Sequence, residues 1–323
     1  MLVDDIDLQI IRLLARDCRT HYSDIASAVG ISTNATKVRT NKMISNGVIR
    51  GFRVLVNPAI FGYDKVLFLI AKDIDNITEE QDLFKKVSLL GEILVYAKHF
   101  NPALFILFAK GISQDKIGIV TDMLKPAAVD TIFGNYRPPT MPVNNSDFWI
   151  MKCLLSDPRI SVKDLAKETS LSHKTVARRL EKMREKNVLQ MFSIVANVSS
   201  LRLVGYIEFP VLIYVEEPHY QSVVETIYQE LQEYLNFHTS TGLWDQKEFI
   251  FAVFFAPNIS TVNLILRRLE SYGGVVRIQS FITTSLAFYH DWLMSEIDKR
   301  ISSKKYVSLS SSATTTKDAP KVL

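Results

Sequence analysis

Cysteine is nearly absent: Cys18 and Cys153 are the two in 323 residues. That is too few for a disulfide framework, and each stands alone, without a metal-ligand spacing. Both fall on apolar helical patterns, where a reduced cysteine acts as a small core residue. Long apolar runs are missing too. Val66 to Ala71 and Phe249 to Ala256 fall far short of the roughly 20 residues that cross a bilayer. Met1 opens no basic-then-apolar leader, so a cytoplasmic protein with no membrane partner is expected. The sequence has no Gly-rich phosphate loop opening a helix and no Gly-x-Ser-x-Gly elbow. Its histidines, His21, His99, His173, His219, His238 and His290, are scattered. These absences argue against an enzyme, so no catalytic residue, cofactor or metal site is expected.

Excess charge of one sign is modest overall, at +4, but it is unevenly placed. Residues 1–60 carry 8 basic against 5 acidic side chains, and residues 145–200 carry 10 against 6. Residues 61–144 carry 9 against 10, and residues 201–323 carry 11 against 13. The positive excess therefore lies in two short segments, which points to those segments as the places that meet a polyanion.

The two basic segments are copies of one another. An offset of 140 positions places Asp7, Leu14, Asp17, Arg19, Asp24, Arg39, Lys42, Met43, Val48 and Asn57 on Asp147, Leu154, Asp157, Arg159, Asp164, Arg179, Lys182, Met183, Val188 and Asn197. After a three-residue insertion, Gly62-Tyr63 meets Gly205-Tyr206. The proline-rich stretch 138–145 reads as a linker, since its prolines continue neither a helix nor a central strand. The end of the chain, 296–323, grows rich in Ser, Thr and Lys and reads as a tail without a core of its own.

Within each basic segment, apolar residues recur at the helical period in three short bursts. Ser23 and Ser32 stand at capping positions and Gly30 at the turn between the second and third helices. The pattern is a helix-turn-helix followed by a β-prone run, Val48 to Val56 and Val188 to Val195, expected to form a wing. On the third helix of the second copy, Val176, Leu180 and Met183 form the inward stripe, which leaves His173, Lys174, Arg178, Arg179, Lys182 and Arg184 outside or flanking it. The first copy offers Asn34, Lys37, Arg39, Asn41 and Lys42, with Arg50 and Arg53 on the wing. Asn pairs with adenine edges, and Arg or Lys with guanine edges or phosphates, so both sets suit a helix in the major groove of double-stranded DNA. The first copy departs in one respect: Thr36 and Thr40 replace Val176 and Leu180, which predicts looser packing of that helix.

The sequence resembles the Lrp/AsnC family of transcription regulators. The residues that carry the resemblance are Asp5-Ile-Asp-Leu-Gln-Ile-Ile-Arg-Leu-Leu, Asp24-Ile-Ala with Gly30-Ile-Ser, Asn46-Gly-Val-Ile-Arg-Gly-Phe, Val54-Leu-Val-Asn-Pro and Phe61-Gly-Tyr. The segments between the basic ones, 61–137 and 201–295, each read as strand, helix, strand, strand, helix, strand. The fold class expected is α+β: two winged helix-turn-helix domains, 1–60 and 146–200, alternating with two ferredoxin-like βαββαβ domains. The resemblance implies that the α/β domains dimerise and bind a small effector such as an amino acid, and Thr241, Gly242 and Asp245 are its counterparts in the second copy. A plain hairpin turn accounts for that Gly and Asp equally well. An apolar strand such as Val66-Leu-Phe-Leu-Ile70 needs covering, so the two α/β halves of one chain are expected to pair, with higher assembly left open.

Two other readings share this plan. Siroheme decarboxylases combine the same domains, sometimes as a fusion, and Tyr96 with His99-Phe-Asn101 resembles their tetrapyrrole-binding hairpin. The expected arginine is missing there, and the second copy has no histidine between Trp244 and Phe249. The third reading is a dimerisation scaffold whose winged helices no longer bind DNA.

Overall fold

The computed structural model describes residues 3–72, 77–100, 102–124, 128–203, 206–238 and 248–312. The first copy opens with α1 (Asp5–Arg16), α2 (Tyr22–Val29) and α3 (Thr33–Ser45), followed by β1 (Ile49–Val56). It continues with β2 (Lys65–Lys72), α4 (Ile77–Ser88), β3 (Glu92–His99), β4 (Ala103–Ala109), α5 (Gln114–Met123) and β5 (Ala128–Asn135). The second copy repeats the order: α6 (Asn145–Ser156), α7 (Val162–Thr169), α8 (His173–Glu185), β6 (Leu189–Ala196) and the short α9 (Val198–Leu203). After these come β7 (Ile207–Val215), α10 (Tyr220–Leu231), β8 (Leu235–His238), β9 (Phe249–Ala256), α11 (Ile259–Ser271) and β10 (Val275–Ser280). The chain ends in β11 (Thr283–Phe288) and α12 (Asp291–Ser312).

The duplication is preserved at the level of caps. Asp4 and Asp7 form a capping box on α1, and Asn144 and Asp147 form the same box on α6. The turn into the third helix needs a left-handed residue, supplied by Gly30 at φ 73° in the first copy and by Ser170 at φ 54° in the second. After the third helix Gly47 at φ 68° is matched by Asn187 at φ 61°. The second copy thus keeps the backbone while losing the residue that adopts it without steric cost.

The buried hydroxyls of α3 have partners. Thr36 Oγ1 donates to the Ser32 carbonyl at 3.1 Å and Thr40 Oγ1 to the Thr36 carbonyl at 2.8 Å, and both side chains are fully buried. Bonding back along the helix satisfies them without loosening the contact, so α3 packs as closely as α8 does with Val176 and Leu180.

The strands form three antiparallel sheets. One has the order β11-β3-β4-β2-β5, the second β10-β7-β9-β8, and the third is the two-stranded ribbon β1-β6. The first two share one βαββαβ topology, but the second copy ends in two strands where that order has one. β10 stays in its own sheet, whereas β11 crosses to the other copy and pairs with β3, Leu286 opposite Ala97. The ribbon is likewise formed between copies, with Phe52 opposite Ile194 and Val54 opposite Phe192. Neither wing is self-contained, since each copy has one strand after its third helix and that edge needs a partner.

The two larger sheets pack face to face. Phe68 meets Phe249 and Phe251 at ring-centroid distances of 5.6 and 5.3 Å, in a core that also holds Ile70, Leu104, Phe108, Leu212 and Phe255. Their outer faces are covered by helices. Leu83, Val87 and Ile117 lie on Leu67, Leu69 and Phe105, and Val223, Ile227 and Ile265 lie on Phe209, Ile213 and Phe254. Burial on both faces explains why Val66 to Ala71 is a continuous apolar run and not an alternating one. α12 starts at Asp291 and buries Leu293 and Ile297, with Lys152 of α6 bonded to Asp298 at 2.6 Å, so regular structure runs well into the segment read from sequence as a tail.

Replacing Ser170 by glycine relieves a side chain held in the left-handed region. The urea midpoint should rise, by about 1 kcal/mol of stability, with the slope of the transition unchanged.

Candidate nucleic-acid interface

α3 and α8 each begin at a serine N-cap, Ser32 and Ser172, whose Oγ accepts from the backbone N–H of Ala35 and Thr175 at 3.1 Å. Each then buries one stripe: Thr36, Thr40 and Met43 on α3, Val176, Leu180 and Met183 on α8. The opposite faces are exposed. Asn34, Lys37, Asn41 and Lys42 project from α3, and His173, Lys174, Arg178 and Lys182 from α8. Arg50 projects from β1, with Nη2 at 3.3 Å from Asn197 Oδ1. At the position matching Arg178, α3 carries Val38, 58% exposed, so the two helices present different chemistry on a common frame.

Three arginines expected on this surface are engaged inside the protein. Arg39 bridges Asp4 and Asp7 at 2.7 and 2.9 Å, and Arg179 holds Asp147 at 2.8 Å. Asp7 and Asp147 are buried and occupied by their capping boxes, so each guanidinium neutralises a carboxylate that water cannot reach. The hydrogen bond to Asp7 foremost, then that to Asp4, holds the Arg39 guanidinium above its ordinary range. Arg53, the third, turns away from the surface. Its Nη1 donates to the Phe52 carbonyl at 2.9 Å, and its Nε is buried without a partner among the described residues. A helical wheel cannot anticipate the engagement of Arg39 and Arg179, because their partners lie on other helices. Asp7 and Asp147 did recur at the repeat offset, which was the available signal.

A reciprocal clamp ties the helical domains to the ribbon. Arg19 lies 5.5 Å from the Phe192 ring and donates to the Pro158 carbonyl at 2.7 Å. Its counterpart Arg159 lies 5.3 Å from the Phe52 ring and donates to the Cys18 carbonyl. Arg184 of α8 joins this set through Asp17 at 3.0 Å. Cys18, beneath it, is fully buried, and burial pushes its thiol up to about 12, so it serves as packing and not as a nucleophile.

Below the ribbon and between the two large sheets lies a cavity of about 180 Å³. The ribbon contributes Arg53, Val54 and Met191, the first sheet Phe68, Val95 and Leu104, and the second Pro210, Val253 and Phe255. Within this apolar lining stands Glu208, buried and bonded to Thr283, its carboxyl pushed up to about 7 by loss of solvent. Asn236, also at the wall, has a buried Oδ1 without a partner among the described residues. Sequence reasoning passed over both residues. The visible signal was a lone acid, Glu208, in the apolar strand Ile207 to Val215. His99 stacks on Phe281 with centroids 5.2 Å apart, and burial lowers it to about 4, so it packs as a neutral ring. Thr241, Gly242 and Asp245, expected to read an effector, lie outside the described residues, as does Asn101.

Residues 3–44 match the AsnC-type helix-turn-helix domain, and residues 144–190 match a winged helix-turn-helix DNA-binding domain. The two helix-turn-helix segments are thus of the AsnC and winged type. The chain is similar to an uncharacterised HTH-type transcriptional regulator of Pyrococcus horikoshii, 37% identical over 94 residues, covering 28% of this chain and 59% of the relative. It is also similar to the regulatory protein AsnC of Haemophilus influenzae, 32% identical over 90 residues, covering 26% of this chain and 60% of the relative. The chain thus spans about 60% of the length of these relatives. Among solved structures it resembles the siroheme decarboxylase NirDL, at TM-score 0.48 and 16% identity over 93% of this chain and all of that one. Escherichia coli AsnC matches at TM-score 0.30 and 24% identity over 45% of this chain and 99% of that one. No helix among the described residues is long and apolar enough to cross a membrane.

Two neighbouring arginines of α8 should separate stability from surface chemistry. Arg179→Ala strands buried Asp147 and is expected to lower unfolding free energy by about 2–3 kcal/mol. Arg178→Ala, with an exposed side chain, should leave the denaturant midpoint within about 0.5 kcal/mol of the parent. A second outcome concerns Glu208. Its folded carboxyl titrates near 7 against an ordinary 4.5, so the folded chain binds the extra proton, and stability should fall as pH rises through that window. Glu208→Gln should flatten that fall, which amounts to on the order of 3 kcal/mol. Urea unfolding at pH 5 and pH 8 measures it.

Proposed function

We propose that the protein is a sequence-specific DNA-binding transcription regulator, one chain doing the work of a family dimer, and that it is not an enzyme. The observation that carries this reading is the pair of exposed polar helix faces, α3 and α8, held on one frame by the β1-β6 ribbon and the Arg19–Arg159 clamp. Lys37, Lys42, Arg50, Lys174, Arg178 and Lys182 supply the phosphate and guanine contacts. Asn34 and Asn41 suit adenine, and exposed Val38 suits a thymine methyl group, whereas α8 offers Lys174 and Arg178. The two halves therefore read different sequences, and the operator is an imperfect palindrome. A small effector such as an amino acid, as the family resemblance implies, adjusts this binding.

Selection of binding sites from random duplex DNA should return two unlike half-sites. Affinity should fall steeply with salt, and Arg178→Ala with Lys182→Ala should flatten the log-log salt dependence by about 1 for each phosphate no longer neutralised. A double variant that binds with parental affinity and salt slope would overturn the reading. Titration with an iron porphyrin should leave the absorption spectrum as the sum of its parts. A tight complex with a shifted band would favour the decarboxylase-like alternative.

A further inference from the structure

We propose that the cavity between the two sheets is a binding site for a compact, hydrophobic primary amine, with Glu208 and Asn236 receiving the ammonium head. The site is enclosed by both halves of the chain and roofed by the ribbon, so it exists only because the copies pack together.

The size sets the body of the ligand. About 180 Å³ slightly exceeds the roughly 150 Å³ of a dry apolar cavity that takes up benzene, so a phenyl ring with a short side arm fills it. The lining is overwhelmingly aliphatic and aromatic, which favours an apolar body over a sugar or a phosphate.

The polar atoms set the head. Glu208 is buried on β7 and meets the Thr283 hydroxyl, but no cation pairs with it among the described residues. Asn236, on β8 across the intervening β9, carries a buried carbonyl oxygen that has no donor among the described residues. Beyond the Thr283 hydroxyl, neither the buried carboxyl nor the Asn236 carbonyl oxygen has a donor among the described residues, and an ammonium supplies three. A carboxylate or phosphate head placed at Glu208 and Asn236 would instead meet two acceptors, since the Arg53 guanidinium stands on the ribbon side of the cavity and donates to the Phe52 carbonyl. The mismatch between an uncompensated acid and an apolar wall is costly in the empty protein, which is what a charged guest of opposite sign relieves.

The roof gives the site a consequence. Arg53, Val54 and Met191 belong to the ribbon that carries α3 and α8 on its two ends, so an occupied cavity bears directly on the wing strands. This second part rests on the DNA-binding reading above, whereas amine binding does not. By linkage, an amine that changes DNA affinity must have its own affinity changed by DNA in the same ratio.

Calorimetric titration of the full chain with 2-phenylethylamine, and with propylbenzene as the neutral isostere, tests the assignment. The amine is expected to bind at least tenfold more tightly than the isostere. Glu208→Gln should abolish that preference, and Ala97→Leu, which fills the cavity wall, should exclude both compounds. Retention of a cooperative thermal transition shows that each variant is folded. Equal binding of amine and isostere, an amine preference that survives Glu208→Gln, or no binding of either at millimolar concentration, would overturn the proposal. The last result would mean that water alone occupies the cavity. If the amine binds as expected but the protein has no affinity for duplex DNA, the regulator reading fails and the site stands.

Discussion

Everything in this protein hangs on two strands that cannot satisfy themselves. β1 and β6 each follow a third helix as a single strand, with no hairpin partner in its own copy. An unpaired strand leaves a row of N–H and C=O groups open, and the cheapest partner is the equivalent strand of the other copy, tethered on the same chain. Once they pair, Cys18 N–H donates to Phe192 and Asn57 N–H to Val188, and the first helix of one copy is locked beneath the wing strand of the other. The arginine clamp then needs no separate explanation. Arg19 and Arg159 reach across to the aromatic ring that the crossed strand delivers.

The same sharing recurs in the α/β layers. Each sheet buries one face under its own two helices and the other against its sister sheet, which removes the exposed apolar surface that a lone half would present. β11 extends the arrangement by leaving the second copy to cover the β3 edge of the first. The joint between the halves is complete where large side chains interdigitate, as at Phe68, Phe249 and Phe251, and incomplete beside Glu208 and Asn236, where the cavity remains. Duplicated sequence thus yields an asymmetric product: one sheet of five strands and one of four.

Within the amino-acid order, repetition and periodicity were the legible features. Matching residues at one offset, the Ser and Gly punctuation around the third helices, and the βαββαβ order follow from local rules of capping, turns and burial. These determined the fold class, the duplication and the identity of the helices that face outward. Arg39, Arg179 and Arg53 show where such rules stop. Periodicity places a side chain on one side of a helix or strand, but whether a guanidinium there faces solvent depends on a carboxylate or cavity supplied by another element. Ribbon pairing, the passage of β11 and the cavity joining Arg53, Glu208 and Asn236 were decided by tertiary structure alone. They unite residues more than 100 positions apart, and an approach over that range leaves no mark in the local pattern of either partner.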